Sequence, residues 1–228
     1  MRKIGLVIAC LEEIAVILNE KFAVISDYSG EEYPFKTYVY IIGNTHVYVT
    51  LSGVGEIAAS AATQYLISQF ECSAIFNYGV CGALKDDLNL QDVVILNGLV
   101  DLEFDTSRLD NCLPSTHIEL GFNEPLMKID NSLTNKIIEN NKDLKAVICA
   151  SSNKFISDSL IKESIANKYG ASVCEMESVG IYLTCLKNHV PCAFIKGVSD
   201  SKNGDEEEFK KMITKASERA FKVFLSII

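Results

Sequence analysis

The chain begins with an uninterrupted apolar run, Lys3–Cys10 (KIGLVIAC), which is followed closely by Glu12–Leu18 (EEIAVIL). After its first residue the run is apolar throughout, which is typical of a strand buried on both faces. The second segment has the pattern of a short helix. A strand covered on both faces requires a layer on each side of its sheet, so these two segments predict an α/β fold.

The same alternation continues along the chain. The predicted strands are Tyr38–Ile42, His46–Leu51, Ala74–Asn77, Asp92–Leu96, Lys145–Ala150, Ser172–Glu175 and Cys192–Val198. Helical patterns separate most of them, and loops are predicted over Tyr78–Leu84, Gly98–Asp130 and Ser199–Gly204. The first two strands form a hairpin through Gly43–Asn44. We therefore expect a single domain over residues 1–228, a three-layer α/β/α sandwich with a mixed central β-sheet.

Composition narrows the classes of partner. The 228 residues include 21 Lys and Arg against 30 Asp and Glu, a net charge of −9, and no run of basic residues. This balance disfavours nucleic acid, whose phosphates are bound by clustered cations. No apolar stretch reaches the roughly 20 residues of a membrane span, so we expect no membrane association. The eight cysteines form no CxxC pair, which favours reduced thiols in a cytoplasmic protein and no metal site.

In open α/β sheets ligands bind at the carboxyl ends of the strands. The residues that follow the predicted strands are Glu12–Glu13, Ser52–Gly55, Asn77–Gly82, Ser151–Ile156, Glu175–Glu177 and Ser199–Asp200. They include carboxylates, glycines and hydroxyl groups, but none of the three histidines. Acid and base catalysis would therefore fall to carboxylates.

Two glycine motifs each fit more than one role. Gly53–Ala58 fits GxGxxA, but a dinucleotide site also needs an acidic residue after the next strand, where Asn77 stands. The motif is otherwise a tight turn or a close backbone approach to a smaller ligand. The run Gly79–Leu84 likewise fits either a turn or a close approach of the backbone to a ligand.

Two acidic motifs also fit more than one role when they are judged from the residues alone. Glu175 and Glu177 flank Met176 where a strand becomes a helix, so they could hold the paired hydroxyls of a ribose or cap the helix. Ser199–Asp200 ends another strand. Its carboxyl is either a turn former or a general acid oriented by its neighbour.

In the order of these motifs, the sequence resembles the nucleoside phosphorylase and nucleosidase superfamily, most closely the 5′-methylthioadenosine/S-adenosylhomocysteine nucleosidases. The motifs are IGLVIACLEE, LSGVGEIAA, NYGVCGAL, SNKFI, CEMES and KGVSDS, and the resemblance covers nearly the whole chain. It implies a homodimer that cleaves the N-glycosidic bond of an adenine nucleoside without a cofactor.

The resemblance also implies roles for individual residues. Glu13 would activate water, and Asp200, oriented by Ser199, would protonate N7 of the leaving adenine. Glu177 with the Met176 backbone would hold the ribose. The remaining expected binding residues are Ala9, Cys10, Val54, Val80, Phe155, Ile156, Glu175 and Lys196. Phe155 would stack on the purine, and the Ile156 main chain would read its edge.

The sequence departs from the family pattern at two of these positions. Val80 stands where a small hydroxyl residue is usual and Lys196 where arginine is usual, and both positions help to hold the attacking water. The segment Asp101–Thr106 also lacks the family's histidine, so the subsite for the 5′ substituent can differ.

The anionic Glu13 and the absence of arginines at the expected phosphate positions favour hydrolysis over phosphorolysis. A phosphorylase, a nucleosidase for another nucleoside and a non-catalytic nucleoside-binding protein remain as alternatives.

Overall fold

The computed structural model describes residues 2–228. Its strands are β1 Arg2–Ile8, β2 Ala23–Tyr28, β3 Thr37–Ile42, β4 Thr45–Leu51, β5 Ile75–Ala83, β6 Val93–Asp101, β7 Met127–Lys128, β8 Lys145–Ser151, β9 Val173–Glu175 and β10 Cys192–Asp200. Its helices are α1 Leu11–Leu18, α2 Glu56–Phe70, α3 Ser107–Asp110, α4 Ser132–Asn140, α5 Ser159–Tyr169, α6 Ser178–Lys187 and α7 Glu206–Ile227.

Strand β1 lies inside a mixed sheet, as its continuous apolar run predicts. It pairs in parallel with β4 on one side and with β5 on the other. Its residues from Ile4 onward are buried. At Gly5 a Cβ atom would lie 2.7 Å from Cδ1 of Ile75 and 3.0 Å from Cδ1 of Leu66. The glycine therefore lets the neighbouring strand and α2 pack closely against β1.

Five strands close into a ring. Strand β5 pairs in parallel with β10, β10 runs antiparallel to β6, and β6 pairs in parallel with β8. Strand β9 completes the ring by pairing with β8 and with β5. The remaining order continues from β5 through β1, β4 and β3 to the edge strand β2. This closure brings the carboxyl ends of β5, β9 and β10 toward one point.

Helices cover both faces of the sheet, so the three-layer prediction is confirmed. On one face α1 and α7 bury Ile14, Ile17, Phe221 and Phe224 in a common core. On the other face α2 and α6 contribute Ala59, Leu66, Val179 and Ile181 to a separate core. In the described chain, residues 2–228, none of the helices combines the length and apolar character needed to cross a membrane.

The structure differs from the sequence prediction in where strands end. Strands β5, β6 and β10 run on through stretches that we predicted as loops, to Ala83, Asp101 and Asp200. The cause is long-range pairing, since Val80–Gly82 align with Gly197–Asp200 of β10. Edge strand β2 was missed because it is mostly exposed and lacks a buried alternating face.

The segment after β6 is held by a buried histidine. His117 Nε2 lies 2.9 Å from Asp101 Oδ2, and its Nδ1 lies 3.2 Å from Glu119 Oε1. The ring stacks on Phe104 with centroids 3.9 Å apart. Burial opposes the charged imidazole, but the hydrogen bonds to Asp101 and Glu119 outweigh it and raise the pKa of His117 above 6.5.

We expect His117→Gln to destabilise the protein more at acidic than at alkaline pH. Because the folded-state pKa is raised, the charged pair stabilises the fold fully below about pH 6.5 and loses its effect as pH rises through the folded value. Urea unfolding near pH 5.5 should show a loss of roughly 1–2 kcal/mol that shrinks near pH 9. A loss that is equal at both pH values would mean that the ring contributes only packing.

Candidate active site

A cavity of about 570 Å³ opens where β1, β9 and β10 end, beside the last residues of β5. Its volume lies within the range of small-molecule sites. All but two of the predicted site residues line it, namely Ala9, Cys10, Glu13, Val54, Val80, Phe155, Glu175, Met176, Glu177, Ser199 and Asp200. The rule that ligands bind at strand ends therefore located the cavity correctly.

Two predicted residues lie outside the main cavity. Ile156 lines a small adjoining recess together with Phe155 and Asp200. Lys196 is buried behind the wall, where its Nζ donates to Glu175 Oε2 at 2.9 Å. Its ammonium therefore acts on the cavity through Glu175 and through the electric field, and not by lining it.

Glu13 is held at the cavity wall by two backbone donors. It lies in the first turn of α1, where the amide of Val80 donates to its Oε1 at 2.9 Å and the amide of Ala9 donates to its Oε2 at 3.2 Å. Burial raises the pKa of Glu13, although the positive charge of Lys196 and these hydrogen bonds oppose the shift. A raised pKa makes this carboxylate a better proton acceptor.

The close approach of Glu13 depends on a glycine. A Cβ atom at Gly79 would lie 2.5 Å from Glu13 Oε1, so a side chain there would push the carboxylate away from its two amide donors. The glycine run on β5 is thus neither a turn nor a phosphate-binding loop, because it belongs to a continuous strand. Its glycines leave the space in which carboxylate side chains lie against the strand.

The two glutamates at the start of α6 have different environments. Glu175 Oε2 accepts hydrogen bonds from the amide and the hydroxyl of Ser178, at 3.0 and 2.8 Å, so Glu175 caps the helix. Burial opposes its ionisation, but Lys196 and these donors hold the pKa of Glu175 below its usual value. Its oxygens are therefore already bonded to groups of the protein.

Glu177 makes no side-chain cap on α6. Its Oε1 accepts from the amide of Gly55 at 3.0 Å. Burial, together with the negative charge of Glu175, raises the pKa of Glu177 to about 7. Of the two glutamates, Glu177 is the one with a carboxylate oxygen left for a ligand in the cavity.

Asp200 is held by a hydroxyl and by a buried lysine. Ser199 Oγ donates to its Oδ1 at 2.9 Å, as the family pattern implied. Lys162 Nζ donates to its Oδ2 at 2.7 Å. A Cβ atom at Gly82 would lie 2.6 Å from that same oxygen, so a second glycine of β5 admits this carboxylate.

Sequence reasoning missed Lys162. Its only signal was a lysine on the face of α5 that buries Ile165 and Ala166, three and four residues later. That spacing places all three on one side of a helix, where an unpaired ammonium would be costly. A charged residue on an apolar face is a sign of a buried partner.

The cavity also has an aromatic wall. Phe155 meets Phe209 of α7 edge to face, with ring centroids 5.2 Å apart. Phe209 was not among the predicted site residues. The further lining residues that were not predicted are Glu12, Cys81, Gly82, Cys174, Lys210, Ile213 and Thr214.

The match to a known family covers almost all of the chain. Residues 3–228 fit the model of the phosphorylase superfamily. The chain belongs to this superfamily.

Its relatives include nucleosidases. The chain is 30% identical over 217 residues to an aminodeoxyfutalosine nucleosidase of Campylobacter jejuni, covering 92% of this chain and 90% of the relative. It is 27% identical to a 5′-methylthioadenosine/S-adenosylhomocysteine nucleosidase of Staphylococcus aureus, with 92% of each chain covered. The family resemblance read from the motifs is confirmed.

A solved structure in the same family supports the fold. A Helicobacter pylori 5′-methylthioadenosine/S-adenosylhomocysteine nucleosidase, complexed with a substituted pyrrolidin-3-ol, superimposes with a TM-score of 0.86 at 26% identity. The alignment covers 99% of this chain and 97% of that structure. The α/β prediction with a mixed sheet is thus confirmed by a relative of known structure.

We expect Lys196→Met to destabilise the protein by about 3–5 kcal/mol near neutral pH, because Glu175 would become a buried charge without a partner. The double variant Lys196→Met/Glu175→Gln removes both charges and keeps an oxygen to cap α6, so it should recover most of the loss. Urea unfolding measures both. The exposed Lys215→Met is the matched control. A double variant no more stable than the single one would show that Lys196 acts by packing instead of by neutralising charge.

Proposed function

We propose that the protein is an N-glycosyl hydrolase that releases adenine from 5′-substituted adenosines, with 5′-methylthioadenosine and S-adenosylhomocysteine as its substrates and 5′-deoxyadenosine as a further one. The observation that carries the proposal is one cavity that holds two buried carboxylates, Glu13 and Asp200, on different elements beside an aromatic wall. Binding alone requires no such pair of acid and base.

The reaction assigns a task to each carboxylate. Cleavage of the C1′–N9 bond passes through a state with positive charge on the ribose, and the purine leaves with a proton on N7. Asp200 delivers that proton. Glu13 accepts a proton from the water that attacks C1′, and its raised pKa suits this role. Carboxylates that line the cavity also stabilise the charge that develops on the ribose.

The remaining residues bind the parts of the nucleoside. Glu177 has an oxygen free to accept from a ribose hydroxyl, and the Met176 backbone lies next to it. Phe155, supported by Phe209, offers a face to the purine. Ile156 lines the recess beside Phe155, and we assign its main chain to the purine edge on the family resemblance.

The charges of the cavity favour water over phosphate as the nucleophile. Among the lining residues in the described part of the chain, the only basic one is Lys210, which is exposed on α7. Lys196, the other cation near Glu13, is bonded to Glu175. A phosphate dianion beside Glu13 would meet repulsion with no neighbouring arginine to offset it.

Aminodeoxyfutalosine is the second candidate substrate. The Campylobacter relative named for that activity is as similar to this chain as the relatives named for 5′-methylthioadenosine are. The two candidate substrates have the same glycosidic bond and the same leaving-group chemistry, and they differ in the 5′ substituent. We further propose that the enzyme works as a homodimer in the cytoplasm, which follows the resemblance to the family.

We expect release of adenine from 5′-methylthioadenosine and S-adenosylhomocysteine without phosphate. The measurement is adenine release from these two compounds, 5′-deoxyadenosine, aminodeoxyfutalosine, adenosine and inosine, each with and without phosphate. A requirement for phosphate would select the phosphorylase alternative. Binding of adenine with no release from any of the compounds would select the non-catalytic alternative.

We expect Glu13→Gln and Asp200→Asn each to lower kcat by at least roughly a hundredfold, because each removes one proton transfer. Glu12→Gln is the matched control, since Glu12 is its exposed neighbour at the cavity rim. Circular dichroism should show the fold retained in all three variants, with Asp200→Asn less stable than the others because it leaves the Lys162 ammonium without a carboxylate partner. Activity within a few-fold of the wild type in either catalytic variant would remove that residue from the mechanism.

A further inference from the structure

Lys162 is the most completely buried cation beside the cavity. Its side chain has 0% exposure, and the ammonium has three acceptors, Asp200 Oδ2 at 2.7 Å, the Ser201 carbonyl at 2.8 Å and the Gly204 carbonyl at 3.5 Å. Burying an ammonium so fully is costly unless its hydrogen bonds are satisfied. The arrangement therefore holds a charged group directly behind the proposed acid.

The other polar groups around this pair are neutral or lie further off. Ser199 contributes a hydroxyl from β10. Cys174, on β9, stays a thiol, because burial and the charge of Asp200 raise its pKa to about 12. Glu208 of α7 accepts from the Ser201 amide at 2.6 Å, so it faces the loop and not the ammonium. Lys162 is thus the one cation in direct contact with Asp200 among the described residues.

This contact gives the proposed acid a neighbouring source of protons. Nζ of Lys162 and Oδ2 of Asp200 lie 2.7 Å apart, so a proton can pass between them along the hydrogen bond. Counted together, the pair holds one exchangeable proton beyond its fully deprotonated state.

We infer that Lys162 is a positioning residue that orients Asp200 and also holds the proton which Asp200 passes to the purine. The inference rests on the proposed function. It assigns to the reaction a residue that contacts the acid and does not itself line the cavity.

The proton balance of the step is as follows. As the C1′–N9 bond breaks, its electron pair goes to the purine, and N7 gains a proton from Asp200. The Nζ–H bond of Lys162 breaks at the same time, and its proton replaces the one that passes from Asp200 to N7, so the proton count of the carboxyl is the same before and after the step. Water adds to C1′ and gives one proton to Glu13. The enzyme then holds a neutral amine at Lys162 and a protonated Glu13, and exchange with solvent restores both.

The test is the pH dependence of kcat for 5′-methylthioadenosine in the wild type and in Lys162→Met. The acid limb of the wild-type profile belongs to Glu13 and Glu177, whose pKa values are raised, so the comparison is made above that limb. There kcat should stay level to about pH 9, because Lys162 resupplies the proton that Asp200 gives up. In the variant no lysine can resupply the Asp200 carboxyl with a proton. We therefore expect kcat to be at least roughly tenfold lower at the start of the range, and to fall by about tenfold per pH unit once that carboxyl ionises. KM should change by less than about threefold, because binding contacts are kept.

The controls separate this role from a structural one. Lys168→Met makes the same substitution on the exposed side of α5 and should keep the wild-type profile. The double variant Lys162→Met/Asp200→Asn leaves no unpaired buried charge, so it should fold, and its kcat should equal that of Asp200→Asn alone.

Two results would overturn the inference. A ratio of variant to wild-type kcat that stays constant across the pH range would mean that Lys162 only supports the fold. A double variant slower than Asp200→Asn would mean that Lys162 does not act through Asp200. A wild type that releases no adenine would instead defeat the proposed function, so the two failures are distinguishable.

Discussion

The parallel pairing of β5 with β10 is the constraint on which the rest of the structure depends. It runs from Ile75 and Cys192 up to Gly82 and Asp200. This register brings Asp200 over Gly82, and the same β5 strand presents the Val80 amide to Glu13. Because β10 also pairs with β6, the sheet curls into a ring and cannot remain an open surface. The cavity lies where that ring meets the end of β1.

Glycines make this closure compatible with buried carboxylates. A side chain at Gly79 would collide with Glu13, and one at Gly82 would collide with Asp200. Both positions lie inside a strand, where glycine weakens local stability. The strand gains no packing from them, and what it gains is the space for two acidic side chains to lie against it.

The buried charges are divided between two lysines. Lys196 neutralises Glu175, which in turn caps α6, and Lys162 neutralises Asp200. Glu13 and Glu177 have backbone amides as hydrogen-bond donors in place of a lysine. Their pKa values are raised as a result, since amide donors offset burial less than a contacting cation does. The structure thus holds two carboxylates in cation contact and leaves two others poised to exchange protons or to accept from a ligand.

The sequence by itself determined the α/β class, the positions of most helices and strands, and the strand ends at which the cavity lies. The hydrophobic period and the positions of strand ends are local signals, and they led to the segments Glu12–Glu13, Glu175–Glu177 and Ser199–Asp200. The resemblance to the family then singled out Glu13, Glu177 and Asp200 within them. Only the tertiary structure decided that the glycine run is a strand, that Glu175 and not Glu177 caps α6, and that Phe209 and Lys162 belong to the site. Each of these depends on a partner from a distant part of the chain. Lys162 and Asp200 are 38 residues apart, and their contact exists only because α5 packs beside the end of β10.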